Sequence, residues 1–183
     1  MTAHGTPAAV VVPLTEALIP AAIACAEEVW PAAYEPILPP GQVDYMLAGR
    51  TDPSTLREYL TAEDRWYDVA LPAAADLTQD GSATDVIGYV SCRTAVPDRV
   101  RLEQLYVIPR QWGTGVADLL LAAALQHARA IGATTIDLTV NRHNARALAY
   151  YRRVGFELNG EVVADIGGGY VMDDYLLARP VGR

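Results

Sequence analysis

The chain has no lysine, only one phenylalanine and only two cysteines among its 183 residues. Without lysine there is no P-loop to cradle a nucleotide phosphate. Cys25 and Cys92 form neither a CxxC pair nor a ligand spacing, so neither a disulfide framework nor a zinc site is expected, and no metal. Long apolar runs are missing as well. The longest uncharged stretches, Met1–Thr15 and Ala17–Ala26, contain proline and fall short of the ~20 apolar residues of a membrane span. Neither has a basic leading region, so no signal peptide is expected and the expected location is cytoplasmic.

What is present fits one globular domain over 1–183, with 51% hydrophobic and 20% charged residues. The net charge of −8 argues against unspecific nucleic-acid binding. Charge is unevenly spread: residues 1–109 carry −9, residues 110–157 carry +3 and residues 158–183 carry −2. A basic segment inside an acidic chain suggests a local anionic ligand and a cationic one elsewhere, although chance composition explains it equally well.

Periodicity gives the order of elements. Ala8–Val12 reads as a strand, and Thr15 can cap a helix running through Trp30. Pro31, Pro36, Pro39 and Pro40 then break the chain into turns, followed by short helices at Gln42–Leu47 and Ser54–Leu60, the second capped by Ser54. Trp66–Leu71, Val86–Thr94 and Val100–Ile108 read as strands, with Ala73–Asp85 a hairpin loop. Val116, Leu119, Leu120, Ala123, Ala124, Ala128 and Ile131 recur at helical spacing before the stop at Gly132. His127 lies on that stripe and is read as a packed histidine. A strand at Thr134–Val140, a helix at Asn144–Val154 and an antiparallel pair at Leu158–Ala164 and Tyr170–Ala178 complete the chain. The reading is an α/β (α+β) domain with a mixed, mostly antiparallel sheet of about seven strands flanked by helices.

Trp112-Gly113-Thr114-Gly115-Val116-Ala117 joins a strand directly to a helix. Glycines let the backbone turn with successive N–H groups facing outward, and the helix dipole adds positive potential, which suits a pyrophosphate. A ligand-free tight turn is the plainer alternative. A dinucleotide-binding turn is disfavoured, because Asp118 replaces the third glycine and Asp137 lies inside its strand.

Two motifs carry a resemblance. Val107, Pro109, Gly115 and Ala117 match V-x-P-x-x-[Q/R]-x-x-G-x-[G/A], with Trp112 where Gln or Arg is usual. Asn144, Ala147, Leu148, Tyr150, Tyr151, Gly155 and Phe156 match N-x-x-A-[I/L]-x-[F/Y]-Y-x-x-x-G-F. Residues 86–156 thus resemble the GCN5-related N-acetyltransferase (GNAT) superfamily. The glycine-rich tail Asp165–Tyr175 and the stretch Pro36–Leu60 are more loosely similar to a bacterial branch that includes spermidine/spermine acetyltransferases.

The resemblance implies acetyl-CoA as cosubstrate and a splayed central strand pair that binds it. Leu105, Tyr106 and Val107 would line the pantetheine arm, with the Leu105 N–H polarising the thioester. Trp112, Gly113, Thr114, Gly115, Val116 and Ala117 would hold the pyrophosphate. Asn144, Leu148 and Tyr151 share one helix face: Asn144 is either a pantetheine contact or a helix cap, and Tyr151 is the candidate proton donor to the departing thiolate or else an aromatic packed against the sheet. Tyr150 is read as core. Glu103 is the candidate base, taking a proton from the amine through water, or else a surface carboxylate paired with Arg101 or Arg99. Arg142, Arg146, Arg152 and Arg153 are candidates for the CoA 3′-phosphate, or else a solvated charged helix face, and Glu27, Glu28, Glu35, Asp44, Asp173 and Asp174 are candidates for a cationic acceptor, or else part of a generally acidic surface. The expected activity is direct acetyl transfer to a primary amine of a small cationic molecule such as a polyamine, by a monomer or homodimer. Protein N-terminal or lysine acetylation, and acyl-CoA binding without catalysis, are the alternatives.

Overall fold

A computed structural model of the chain describes residues 9–73 and 85–182. Seven strands, β1 (Ala9–Pro13), β2 (Arg65–Pro72), β3 (Gly88–Val96), β4 (Arg99–Val107), β5 (Thr135–Asn141), β6 (Glu157–Gly167) and β7 (Tyr170–Pro180), form one sheet in the order β1-β2-β3-β4-β5-β7-β6. Every neighbouring pair is antiparallel except β4–β5. The helices are α1 (Ile19–Tyr34), α2 (Gln42–Ala48), α3 (Pro53–Thr61), α4 (Val116–Ala130) and α5 (Ala145–Arg153). Adjacent residues of β3 show how the sheet is covered. Tyr89 accepts a hydrogen bond from Trp30 Nε1 of α1 at 2.9 Å, while a Cβ on Gly88 would press on Leu120 of α4. Side chains alternate across a strand, so α1 and α4 lie on opposite faces. This is the α/β architecture with a mostly antiparallel sheet expected from the sequence.

Local departures have local causes. Thr15 makes no side-chain cap; a short 3-10 turn precedes α1. Pro31 does not end α1, which continues to Tyr34. The carbonyl that Pro31 leaves without an N–H belongs to the exposed Glu27, where water can reach it. Helix α3 is capped by Asp52 rather than Ser54: the Asp52 carboxylate accepts from the Ser54 N–H at 2.8 Å, and Pro53 takes the first helical position. Strands β2 and β3 flank the expected loop, of which residues 74–84 lie outside the described residues.

What positions the site is the junction of β4 and β5. They pair through only three residues: Arg99 with Thr135, Val100 with Ile136 and Arg101 with Asp137. Opposite β3, the register slips so that Glu103 is an extra residue, a bulge that bends β4 away. At the last paired position the buried Asp137 carboxylate accepts from Arg101 Nε and faces Arg99 Nη1 at 3.5 Å. Side chains thus clamp the strands where backbone pairing stops. Beyond the clamp β4 and β5 splay.

Candidate active site

Hydrogen-bond alternation fixes which way the free edge of β4 points. In an antiparallel pair, opposite residues alternate between bonded and non-bonded. Ile108 N–H donates to the Ile87 carbonyl at 3.1 Å, so in this register Tyr106 bonds to β3 while Leu105 and Val107 turn their N–H and C=O outward, toward the splay. The Val107 carbonyl accordingly accepts from Trp112 Nε1 at 2.8 Å. The Leu105 N–H is left facing a cleft whose walls are Leu102–Val107 on one side and Leu138–Val140 on the other.

The cleft ends at the turn into α4. Gly113 and Gly115 have φ of 79° and 92°, left-handed values that glycine adopts without steric cost, and a Cβ on either would meet nothing within 4 Å. The first N–H groups of α4, at Val116 and Ala117, have no helical partner, and the helix dipole adds positive charge there. Trp112 is half-exposed, and the Arg146 guanidinium of α5 stacks 3.2 Å from its ring centroid. Burial draws the Arg146 pKa down. Of the other three candidates, Arg142 pairs with Asp173 at 2.5 Å and Arg153 with Asp118 at 2.9 Å, while Arg152 is exposed and has no carboxylate partner among the described residues.

Helix α5 forms a third wall. Asn144 caps it, accepting from the Ala147 N–H at 3.1 Å, and also borders the cleft. The Tyr151 ring packs edge-on against Tyr150 and Phe156 at 5.4 Å. Burial raises its pKa far above the ordinary phenol value, with Tyr34 and Tyr150 adding to the effect, so the hydroxyl is a proton carrier at every working pH. Tyr150, expected in the core, also lines the cleft and donates to the Ala117 carbonyl at 2.8 Å, tying α5 to the start of α4.

A second cavity opens between α1, α2, β4 and the β6–β7 hairpin, lined by Trp30, Tyr34, Tyr45, Met46, Met172 and Asp174 among others. The α2 side is stapled to the hairpin: Tyr45 Oη donates to the Ile166 carbonyl at 2.9 Å and Gln42 Nε2 to the Val171 carbonyl at 3.1 Å. Tyr34, Glu103, Tyr106 and Thr139 border both cavities. In that shared wall the Tyr34 and Tyr106 hydroxyls lie 2.9 Å apart.

Of the six acids expected around a cationic acceptor, only Asp174 lines this cavity. It is 8% exposed, and its Oδ1 has no hydrogen-bond partner among the described residues. Burial pushes its pKa up from 3.8 to about 6, the Thr139 hydroxyl draws it partly back, and Asp173 adds repulsion. Glu103 is differently placed. Its oxygens accept from Arg65 and, at 2.6 Å, from Arg93 Nε. The pairing with Arg101 or Arg99 does not form, because both serve Asp137.

Residues 43–156 match the Acetyltransferase (GNAT) family. The chain belongs to that family. It is an acetyl-CoA-dependent N-acetyltransferase. It is 29% identical over 156 residues to an uncharacterized N-acetyltransferase of Mycobacterium tuberculosis, covering 85% of this chain and 93% of that one. A spermine/spermidine N(1)-acetyltransferase of Bacillus subtilis is 35% identical over 75 residues, 40% of this chain and 48% of that one. Among solved structures, the PaiA N-acetyltransferase of Thermoplasma acidophilum, in complex with coenzyme A, superposes with a TM-score of 0.73 at 18% identity, covering 94% of this chain and 98% of that one. That likeness shows the fold.

In this GNAT chain the sequence-predicted residues Leu105, Tyr106, Val107, Trp112, Gly113, Ala117, Asn144 and Tyr151 gather along one cleft. Thr114, Gly115 and Val116 form the adjoining turn; the Val116 side chain is core, and the Thr114 hydroxyl donates to the Gln111 carbonyl at 2.8 Å. His127 is packed as expected, stacked on Trp66 and 2.7 Å from Asp68. Sequence reasoning missed Tyr34 and Tyr150 as lining residues. Trp30 and Tyr34 sit four apart on α1, a spacing that could have flagged a shared aromatic face.

Proposed function

We propose that the chain transfers the acetyl group of acetyl-CoA directly to the primary amine of a small molecule bound in the second cavity. The observation that supports this reading is the wall common to both cavities: an amine bound in the second would reach the cleft without a covalent enzyme intermediate. Bound acetyl-CoA supplies an activated thioester carbonyl and a thiolate leaving group. The Leu105 N–H aims at that carbonyl from a strand edge that needs no reorganisation. The N–H groups of Gly113, Gly115, Val116 and Ala117 hold the pyrophosphate, the Thr114 N–H being turned back to the Gln111 carbonyl, and Arg146, stacked on Trp112 at the end of the cleft, meets the 3′-phosphate. Tyr151 donates the proton that the departing sulfur takes up. Asp174, with a pKa of about 6, accepts the proton that the ammonium gives up. Glu103, neutralised by two guanidiniums, orients water at the shared wall. A polyamine is among the amines this reading admits, supported by Asp174 and by the partial match to a polyamine acetyltransferase. The stapled contact of α2 with the β6–β7 hairpin favours a small acceptor over a protein terminus or side chain, which needs an open groove.

Two measurements test this reading. CoA and acetyl-CoA are expected to raise the melting temperature, since a ligand that binds only the folded chain stabilises it by mass action, whereas NADH is not. Thiol release from acetyl-CoA should then depend on an added primary amine. Stabilisation by NADH alone, or thiol release indifferent to every amine, would overturn the proposal.

A paired substitution separates fold from ligand at the turn. Gly115→Val and Gly132→Val both place a β-branched residue at positive φ, where each costs ~1–2 kcal/mol or more of stability. Only Gly115→Val is expected to weaken CoA binding, by at least about tenfold beyond the loss in the control, because its side chain fills the anion cradle. Equal CoA affinity in the two variants would make the turn purely structural.

A further inference from the structure

The second cavity is not uniformly acidic, and that bears on what it accepts. Two guanidiniums line it, Arg50 and Arg101. Arg101 is held by Asp137, as described above. Arg50, just beyond α2, has no carboxylate partner among the described residues. An exposed residue at the mouth of the cavity, it stacks over the Trp30 ring at 5.1 Å and donates one N–H to the Met46 carbonyl at 3.3 Å, and the rest of its donor fork has no partner among the described residues. The surroundings do not neutralise it either: Arg65 and Arg93, in the adjoining pocket, share the single carboxylate of Glu103. Asp174 lies in the same cavity with one carboxylate oxygen unpaired, and the Tyr34 phenol is within Coulombic reach of both Asp174 and Arg50. A lining with one unmatched cation and one unmatched anion, separated by aromatic and thioether surface, is complementary to a ligand bearing both charges. A polyamine offers only positive charge, so beyond its first ammonium it would meet Arg50 as repulsion.

We infer that the acceptor is a zwitterion, an α-amino acid or close analogue with an apolar side chain, whose carboxylate docks on the Arg50 fork while its ammonium faces Asp174. This rests on the acetyltransferase reading above and narrows its substrate class. Arg is suited to the task because its planar fork can take both carboxylate oxygens at once. Trp30, Met46 and Met172 supply the apolar surface for the side chain.

The test compares matched amines that differ in one charge. L-phenylalanine, L-leucine and L-methionine are assayed for thiol release from acetyl-CoA beside their amides, their decarboxylated amines and spermidine. The free amino acids are expected to exceed both neutralised forms by about tenfold or more in kcat/KM, mainly through KM, the size of one charge-assisted contact. Arg50→Gln should collapse that ratio toward one, and Arg50→Glu should invert it toward spermidine. Equal or better turnover of the amides, the decarboxylated amines or spermidine by the unaltered protein sinks the inference while leaving the acetyltransferase reading intact. If no amine in the set is turned over, the CoA-saturated protein decides. A melting shift from L-phenylalanine absent with phenethylamine and lost in Arg50→Gln upholds the zwitterion site, and its absence rejects it.

Discussion

Asp174→Asn is expected to lower kcat by about 10²–10⁴-fold while making the free protein more stable at neutral pH. Both effects come from one carboxyl. Buried in the acceptor cavity, it titrates at about 6 instead of 3.8, so its neutral form is the one that folding favours. The folded state therefore holds this proton more tightly than the unfolded chain does. The stability this provides is present below about pH 4 and is lost as the pH rises through about 6. Above that, the folded protein carries a charge it has poorly solvated, at a cost of up to about 3 kcal/mol for a shift of some two pKa units. Asparagine carries no charge and removes that cost, but it cannot take the proton from the ammonium. Activity of the unaltered protein should show an acidic limb near pH 6 that the variant lacks. A variant that keeps both full turnover and the limb would place the base elsewhere, with Glu103→Gln the next substitution to assay.

Tyr151→Phe is expected to reduce kcat by a comparable ~10²–10³-fold with CoA affinity changed by less than about threefold. The ring is fixed by edge-on contacts with Tyr150 and Phe156, and phenylalanine keeps both. Only the hydroxyl is lost, and with it the proton that the proposed mechanism assigns to the departing sulfur. A fall in kcat without a loss of donor affinity marks an interaction realised in the transition state. Titration of CoA by calorimetry and single-turnover thiol release separate the two quantities. Undiminished turnover, with chemistry demonstrably rate-limiting, would show that water or the Tyr34–Tyr106 hydroxyl pair protonates the thiolate instead.

The parts of this molecule legible in its sequence are those written as local pattern. The α4 stripe from Val116 to Ala128, the stop at Gly132 and the alternation in Thr135–Val140 gave helix and strand, because their spacing repeats within a few residues. Most of the cleft residues followed from two motifs, one at the turn into α4 and one along α5. What stayed hidden depends on long-range partners. That Glu103 is held by Arg65 and Arg93 requires the registers of three strands and the bulge between Cys92 and Ser91, none of which has a sequence signature. In sequence Asp174 is one of six acids with nothing local to single it out; its burial comes from the fold, which sets β7 beside β5 and α1 and α2 across the cavity. Pro31 was misleading for a different reason. The cost of an internal proline falls on the carbonyl four residues earlier, and solvent at Glu27 absorbs it.

The three-residue seam between β4 and β5 gives the sheet an unusual mechanical character. It behaves as two plates joined along one short edge, β1–β4 and β5–β7, with a single charged clamp at the end of the join. A donor lying, as proposed, along the outward-facing N–H groups of Leu105 and Val107 and the Leu105 carbonyl would supply rungs the chain itself does not have, the Val107 carbonyl being taken by Trp112. Backbone amides at 105 and 107 should therefore exchange with deuterium quickly in the free protein and slowly once CoA is bound, whereas those of β3 and β7 change little. In that binding mode the ladder that presents the thioester would also complete the sheet. The resistance of this chain to opening and proteolysis thus becomes a readout of donor supply, rising by RT ln(1 + [CoA]/Kd) as cellular CoA rises.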